Sequence, residues 1–120
     1  MSELAVKGCT ISITSGQEAS TKLITSQPSD KVLVGSNGVY FGDMTVKLTS
    51  VVQGAYVCEE AELTIKGTAS KVLNSSGEKA VQKGDSASDT FTFKNTQGST
   101  AEYTIAIKVS DAGQTAVIAT

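Results

Sequence analysis

Five stretches of this chain alternate apolar and polar residues with a period of two. Cys9, Ile11 and Ile13 alternate with Thr10, Ser12 and Thr14, and Met44, Val46 and Leu48 alternate with Thr45, Lys47 and Thr49. Ala61, Leu63 and Ile65 are set among Glu60, Glu62, Thr64 and Lys66. Phe91 and Phe93 flank Thr92, and Tyr103, Ile105, Ile107 and Val109 alternate with Thr104, Ala106 and Lys108. Successive side chains of a strand point to opposite faces, so each stretch reads as a strand with one buried and one wet face. Strands of that kind are antiparallel far more often than parallel. No stretch has a convincing helical period. The nearest, residues 55–62, is short and fits a strand equally well.

Turn residues separate the strands at roughly ten-residue spacing. They are Ser15-Gly16, Pro28-Ser29-Asp30, Ser36-Asn37-Gly38, Gly42-Asp43, Ser75-Ser76-Gly77, Gly84-Asp85, Gln97-Gly98 and Asp111-Ala112-Gly113. Asn37-Gly38 predicts a tight turn, because both residues tolerate positive φ. The expected fold is a single small all-β domain over residues 1–120, built of antiparallel β-hairpins. The closing segment Thr115-Ala116-Val117-Ile118-Ala119-Thr120 is apolar and β-prone, and is expected to be paired or buried at an interface.

Composition removes several function classes. Every basic residue is a scattered Lys and the net charge is −2, so the basic stripe and Arg forks of a nucleic-acid binder are missing. No run approaches the ~18 apolar residues of a membrane span, and the N-terminus does not read as a secretory signal. The expectation is a chain made in the cytosol without stable membrane anchoring. With no His and two Cys, the usual metal-ligand sets are unavailable. Cys9 reads as a small buried hydrophobe, and Cys58 lies among Glu59, Glu60 and Glu62, surroundings unsuited to a nucleophilic thiolate. A Cys9–Cys58 disulfide is left open, though a reducing compartment disfavours one.

Catalysis lacks its parts. No His is present to act as a base beside a nucleophile. Glu60 and Glu62 would stand about 7 Å apart on the polar face of one strand, which reads as a solvated face rather than a hydrolytic dyad. Asp43 and Asp85 each follow a Gly, where Asp commonly shapes the turn. The chain reads as a non-enzyme without a cofactor.

One pattern occurs twice. Residues 31–43 (KVLVGSNGVYFGD) and 71–85 (KVLNSSGEKAVQKGD) both run from Lys-Val-Leu through a Ser/Asn/Gly turn and a short apolar stretch to Gly-Asp. A repeated strand–turn–strand unit indicates a hairpin scaffold built by duplication. The stretch Gly77-Glu78-Lys79-Ala80-Val81-Gln82-Lys83-Gly84-Asp85 resembles the motif of PAAR-repeat proteins, whose hallmark is a Gly, a variable residue, Pro-Ala-Ala-Arg, a variable residue and Gly-Asp. Ala80 and Val81 stand at the two Ala positions and Gly84-Asp85 close the motif, whereas Lys79 and Gln82 replace the Pro and Arg. Gly38-Val39-Tyr40-Phe41-Gly42-Asp43 is similar to a shortened copy.

The resemblance implies a conical β-prism that caps a trimeric β-helical spike protein in a contractile injection machine, such as a phage tail or a type VI secretion system, and aids membrane piercing. The motif residues would be Gly38, Gly42, Asp43, Gly77, Ala80, Val81, Gly84 and Asp85. The apex metal that the family often holds through His residues and a Cys is not carried over, because this chain has no His. A docking face should be apolar and able to extend a partner's strands. Ile11, Ile13, Val117 and Ile118 are its candidates, and all four also fit the domain's own core. An immunoglobulin-like or adhesin-like β-sandwich on a phage or cell surface is the alternative, with two packed sheets and Greek-key connections.

Overall fold

The computed structural model describes residues 2–114 and 118–119. Twelve strands follow one another: β1 (Ser2–Glu3), β2 (Thr10–Ile13), β3 (Thr21–Ile24), β4 (Leu33–Val34), β5 (Asn37–Gly38), β6 (Asp43–Gln53), β7 (Tyr56–Lys66), β8 (Ala69–Leu73), β9 (Lys79–Ala80), β10 (Ser86–Lys94), β11 (Thr100–Asp111) and β12 (Ile118–Ala119). No helix occurs among the described residues, hence none long and apolar enough to cross a membrane. All strand pairings are antiparallel. Each of the five alternating stretches meets a strand, with Cys9 and Thr14 flanking β2. The 55–62 stretch falls largely in β7, with Glu60 and Glu62 on the exposed side of the pleat and Glu59 exposed where the alternation breaks.

Six strands form one sheet in the order β2-β11-β10-β7-β6-β3. The sheet curls into a nearly closed barrel around a core that includes Met44, Val46, Leu48, Leu63, Ile65, Phe93, Ile105, Ile107 and Val109. This replaces the two packed sheets of a sandwich. β2 and β3 end the sheet, and the wall between them is finished by the loop of residues 14–20. Thr14 N donates to Ala106 O at 2.8 Å on β11, and Val52 N on β6 donates to Glu18 O at 2.7 Å. The side chain of Gln17, 7% exposed, donates to Thr104 O at 3.1 Å and accepts from Ser15 Oγ.

The long hairpin β6–β7 continues past the stretches that alternate in the sequence. Its pairing skips Ser50 and Glu59 between Thr49↔Glu60 and Val51↔Cys58. Ser50 sits at φ 52°, in the left-handed region. That residue reverses the pleat, so the buried series Met44, Val46, Leu48 resumes at Val51 instead of residue 50.

Three two-stranded lobes complete the molecule: β4 with β5, β8 with β9, and β12 with β1. A second small core of Leu4, Val6, Val39, Ala69 and Ala80 lies among them, with Val32, Val34, Phe41 and Val72 packed against it. An eleven-residue strand rises about 36 Å, so β6 and β7 account for most of the 49 Å long axis. The lobes occupy the end where β6 and β10 begin. The turns at residues 53–56 and 94–100 occupy the opposite end.

Candidate functional site

Three short chain segments meet between the two cores and bond to one another in a cycle. Ala5 N donates to Val81 O at 2.8 Å, Val81 N to Tyr40 O at 2.8 Å, and Tyr40 N to Ala5 O at 3.0 Å. A second cycle runs in the opposite sense, from two residues after each crossing residue to two before the next: Lys7 N donates to Gly38 O at 2.9 Å, Gly42 N to Lys79 O at 2.8 Å, and Lys83 N to Glu3 O at 2.8 Å. Three antiparallel bridges obey the same permutation, Leu4↔Gln82, Val6↔Val39 and Phe41↔Ala80. Ala5, Tyr40 and Val81 are thus equivalent positions about an internal threefold axis.

The period of two explains where the axis sits. Ala5, Tyr40 and Val81 face the barrel core, while Leu4, Val6, Val39 and Ala80 face the lobe core. All seven are buried, at 0–5% exposure. Each crossing segment is preceded by a lobe and followed by a long-sheet strand. β5, β9 and β1 lead in, and β6, β10 and β2 lead out. The sheet obeys the same cycle, since β3 pairs with β6, β7 with β10, and β11 with β2. The duplicated unit is therefore two of three copies. The third lobe is assembled from segments at opposite ends of the sequence, β1 with β12.

The turns after two crossings match as well. Cys9 N donates to Val6 O at 2.9 Å and Asp85 N to Gln82 O at 3.1 Å. Gly8 and Gly84 hold φ of 96° and 94° in these turns, a region L-residues rarely adopt. The signal in the sequence is the dipeptide Lys-Gly, at Lys7-Gly8 and at Lys83-Gly84, each just before a strand. The Gly-Asp signature catches the second of these and misses the first, where Cys9 stands in place of Asp.

The predicted motif residues divide. Ala80 and Val81 are fully buried at the crossing, and Gly42 supplies one bond of the second cycle. Gly77 closes the β8–β9 turn, its N–H donating to Asn74 O at 3.1 Å. Asp85 is 7% exposed and accepts from Thr68 N at 3.2 Å, Gln82 N at 3.0 Å and Thr68 Oγ1. It clamps the Gly84 turn to the start of the β8 lobe. Asp43 is exposed at the head of β6, paired with Lys66, and makes no such clamp. Asn37-Gly38 is not the expected turn. Both residues form β5, and the turn falls at Gly35-Ser36, with Gly35 at φ 63°. Gly38 is required for a different reason, because Ser29 O lies where a Cβ would project.

Of the proposed docking residues, Ile11 is 4% exposed in the barrel core and Ile13 packs against that core. Period-two alternation turns both inward with Cys9, so Ile11 is not a surface residue. Val117 lies outside the described residues, and Ile118 pairs with Glu3 in the third lobe.

The remaining chemistry is sparse. Cys9 and Cys58 are both free. Burial pushes the Cys9 thiol up to about 11, against a backbone hydrogen bond that lowers it, and the nearby Asp111 carboxylate adds to the rise. Burial, with Cys9 adding, also raises the Tyr40 phenol. Glu60 and Glu62 are exposed on the outer face of β7, and Glu60 Oε1 meets Lys47 Nζ at 3.3 Å. Among the described residues no three acidic or Cys side chains converge as metal ligands. A surface cavity of about 510 Å³ between the start of β7 and the end of β10 is lined by Val57, Cys58, Glu60, Thr92 and Lys94, among others. It brings Cys58 no basic partner within hydrogen-bond reach; the Cys58 Sγ donates to Glu60 O at 3.3 Å. No family model, curated protein or solved structure matches the chain.

Proposed function

We propose that this protein is a non-enzymatic cap that sits in single copy on the end of a trimeric β-helical spike, as the piercing tip of a contractile injection machine. The observation that carries the reading is the cyclic bonding of Ala5, Tyr40 and Val81, which places three equivalent crossings about one axis in a single chain. A cap on a trimer must meet three identical subunits, and one asymmetric chain can satisfy only one of them well. A chain with internal threefold symmetry meets all three alike, so its contacts add instead of conflicting. The doubled Gly-Asp unit and its resemblance to the PAAR motif point the same way. A tip also needs stiffness. The curled sheet, with Phe93, Ile105, Ile107 and Val109 fully buried inside it, supports that role.

Native mass spectrometry of the tagged protein, isolated from the cells that make it, is the test. One copy of this chain with three copies of a single larger chain is the expected mass. A stable 1:1 complex, or a monomer throughout, would overturn the reading.

A further inference from the structure

We infer that the barrel wall has a strand-wide slot between β2 and β3, and that the slot takes an extended segment of another polypeptide with an acidic residue at its centre. The slot lies in the side wall, and its occupancy does not depend on what sits on the threefold axis.

β2 leads out of its crossing as β6 and β10 do, and β3 takes the place of β7 and β11. The other two hairpins are zipped, with β6 paired to β7 and β10 to β11 along nearly their whole length. β2 and β3 are not paired with each other. Their Cα atoms stand more than 8 Å apart almost throughout. Neighbouring strands lie about 4.8 Å apart, so one missing strand leaves a gap of about 9.6 Å. β2 pairs only with β11 and β3 only with β6, which leaves each with a free edge. The loop of residues 14–20 spans the gap at the end nearest Thr104 and Val52. Two cavities follow one another along the rest. One, of about 310 Å³, is lined from β2 by Thr10 and Ile11 and from β3 by Lys22, Leu23 and Ile24. The other, of about 360 Å³, is lined by Ser12 and Ile13 and again by Lys22.

The side chains in the gap indicate its occupant. Lys22 stands opposite Leu48, which is fully buried, and directly opposed residues of an antiparallel pair share a face. Lys22 is therefore on the inner phase of the wall with Ile24, and it has no ion pair among the described residues. Tyr40, 5% exposed, lines the first cavity, and its hydroxyl has no hydrogen-bond partner among the described residues. A polar group that deep is costly to leave unpaired. An ammonium and a phenol O–H both donate, so the group they lack is an anionic acceptor. Ile13 and Ile24 are half-buried on the same inner phase and call for apolar side chains two positions to either side of that acceptor. The occupant that fits is a strand reading apolar, any residue, acidic, any residue, apolar, whose backbone pairs with both free edges. A small free carboxylate would answer Lys22 and Tyr40 but leave both edges open.

The test is an NMR titration of the isotope-labelled full chain with the peptide Ser-Thr-Val-Thr-Glu-Thr-Val-Thr-Ser and with its twin carrying Lys in place of Glu. The Glu peptide at about 1 mM or below is expected to give saturable shifts in β2, β3 and Tyr40, with slower amide exchange in both strands. Lys22→Glu is expected to weaken the Glu peptide roughly tenfold and to reverse the preference toward the Lys peptide. Tyr40→Phe keeps the buried ring and is expected to weaken the Glu peptide roughly threefold. A Glu peptide that gives no saturable shifts in β2 and β3, or binding that neither substitution changes, overturns the slot. Shifts that appear with protein concentration alone overturn it by giving the gap to a second copy. Equal shifts from butyrate overturn it by giving the gap to a small carboxylate.

Discussion

The two Gly-Asp pairs look alike in sequence and differ in what holds them. Asp85 is buried and accepts from two backbone N–H groups and a hydroxyl, whereas Asp43 is exposed. Removing an acceptor strands buried donors, at about 1–3 kcal/mol, while a surface change away from such groups stays within about 0.5 kcal/mol. Asp85→Ala should therefore lower the midpoint of urea unfolding clearly, and Asp43→Ala should leave it nearly unchanged. Equal effects of the two substitutions would refute this assignment. The sequence marks both as turn-shaping residues, which holds for Asp85, whose carboxylate accepts from Gln82 N three residues back. What separates them is Thr68, seventeen positions upstream of Asp85, which no local pattern connects to the turn. Gly38 teaches the same lesson. Asn37-Gly38 has the composition of a turn, yet the close approach of Ser29 O makes the glycine necessary in a strand.

At the scale of elements, alternation marks β2, β6, β7, β10 and β11, misses β3 and the short lobe strands, and misses where the long strands stop. β6 and β7 each run eleven residues because Ser50 reverses the pleat and lets a second buried series begin at Val51. A left-handed residue costs about 1–2 kcal/mol, which makes it hard to foresee in a strand. The loop of residues 14–20 is likewise invisible as a structural element, since Ser, Gly and Glu read as a plain connection. In the fold it closes the barrel, and Gln17 joins it to β11. Gln17→Ala would leave Thr104 O without its side-chain donor and is expected to destabilise by about 1–2 kcal/mol. Hydrogen exchange should then show Ala106 and Val52 amides opening more readily than those of β10, with β10 unchanged. A uniform loss of protection would mean that the loop has no local role.

At the scale of the molecule, two cores share one set of crossing segments. Ala5, Tyr40 and Val81 belong to the barrel core, and their neighbours Leu4, Val6, Val39 and Ala80 belong to the lobe core. Opening either core must break the bonding cycle, so the two are expected to unfold together. The amides of Ala5, Tyr40 and Val81 should exchange at the rate set by global unfolding, along with those of Ile105 and Ile107. Faster exchange at the three crossings than in β11 would show that the lobes open independently.

The sequence alone determined the all-β character, the antiparallel hairpins, much of the barrel lining and two copies of the repeat. All of these are local, since alternation and turn chemistry act over a few residues. The tertiary structure decided the threefold arrangement. Its third copy combines a crossing near residue 5 with a strand at residues 118–119, and pairing over that separation leaves no periodic trace in the chain. The bonding cycle depends on backbone N–H and C=O groups, which every residue but proline carries, so Ala5, Tyr40 and Val81 need share no side-chain chemistry to be equivalent.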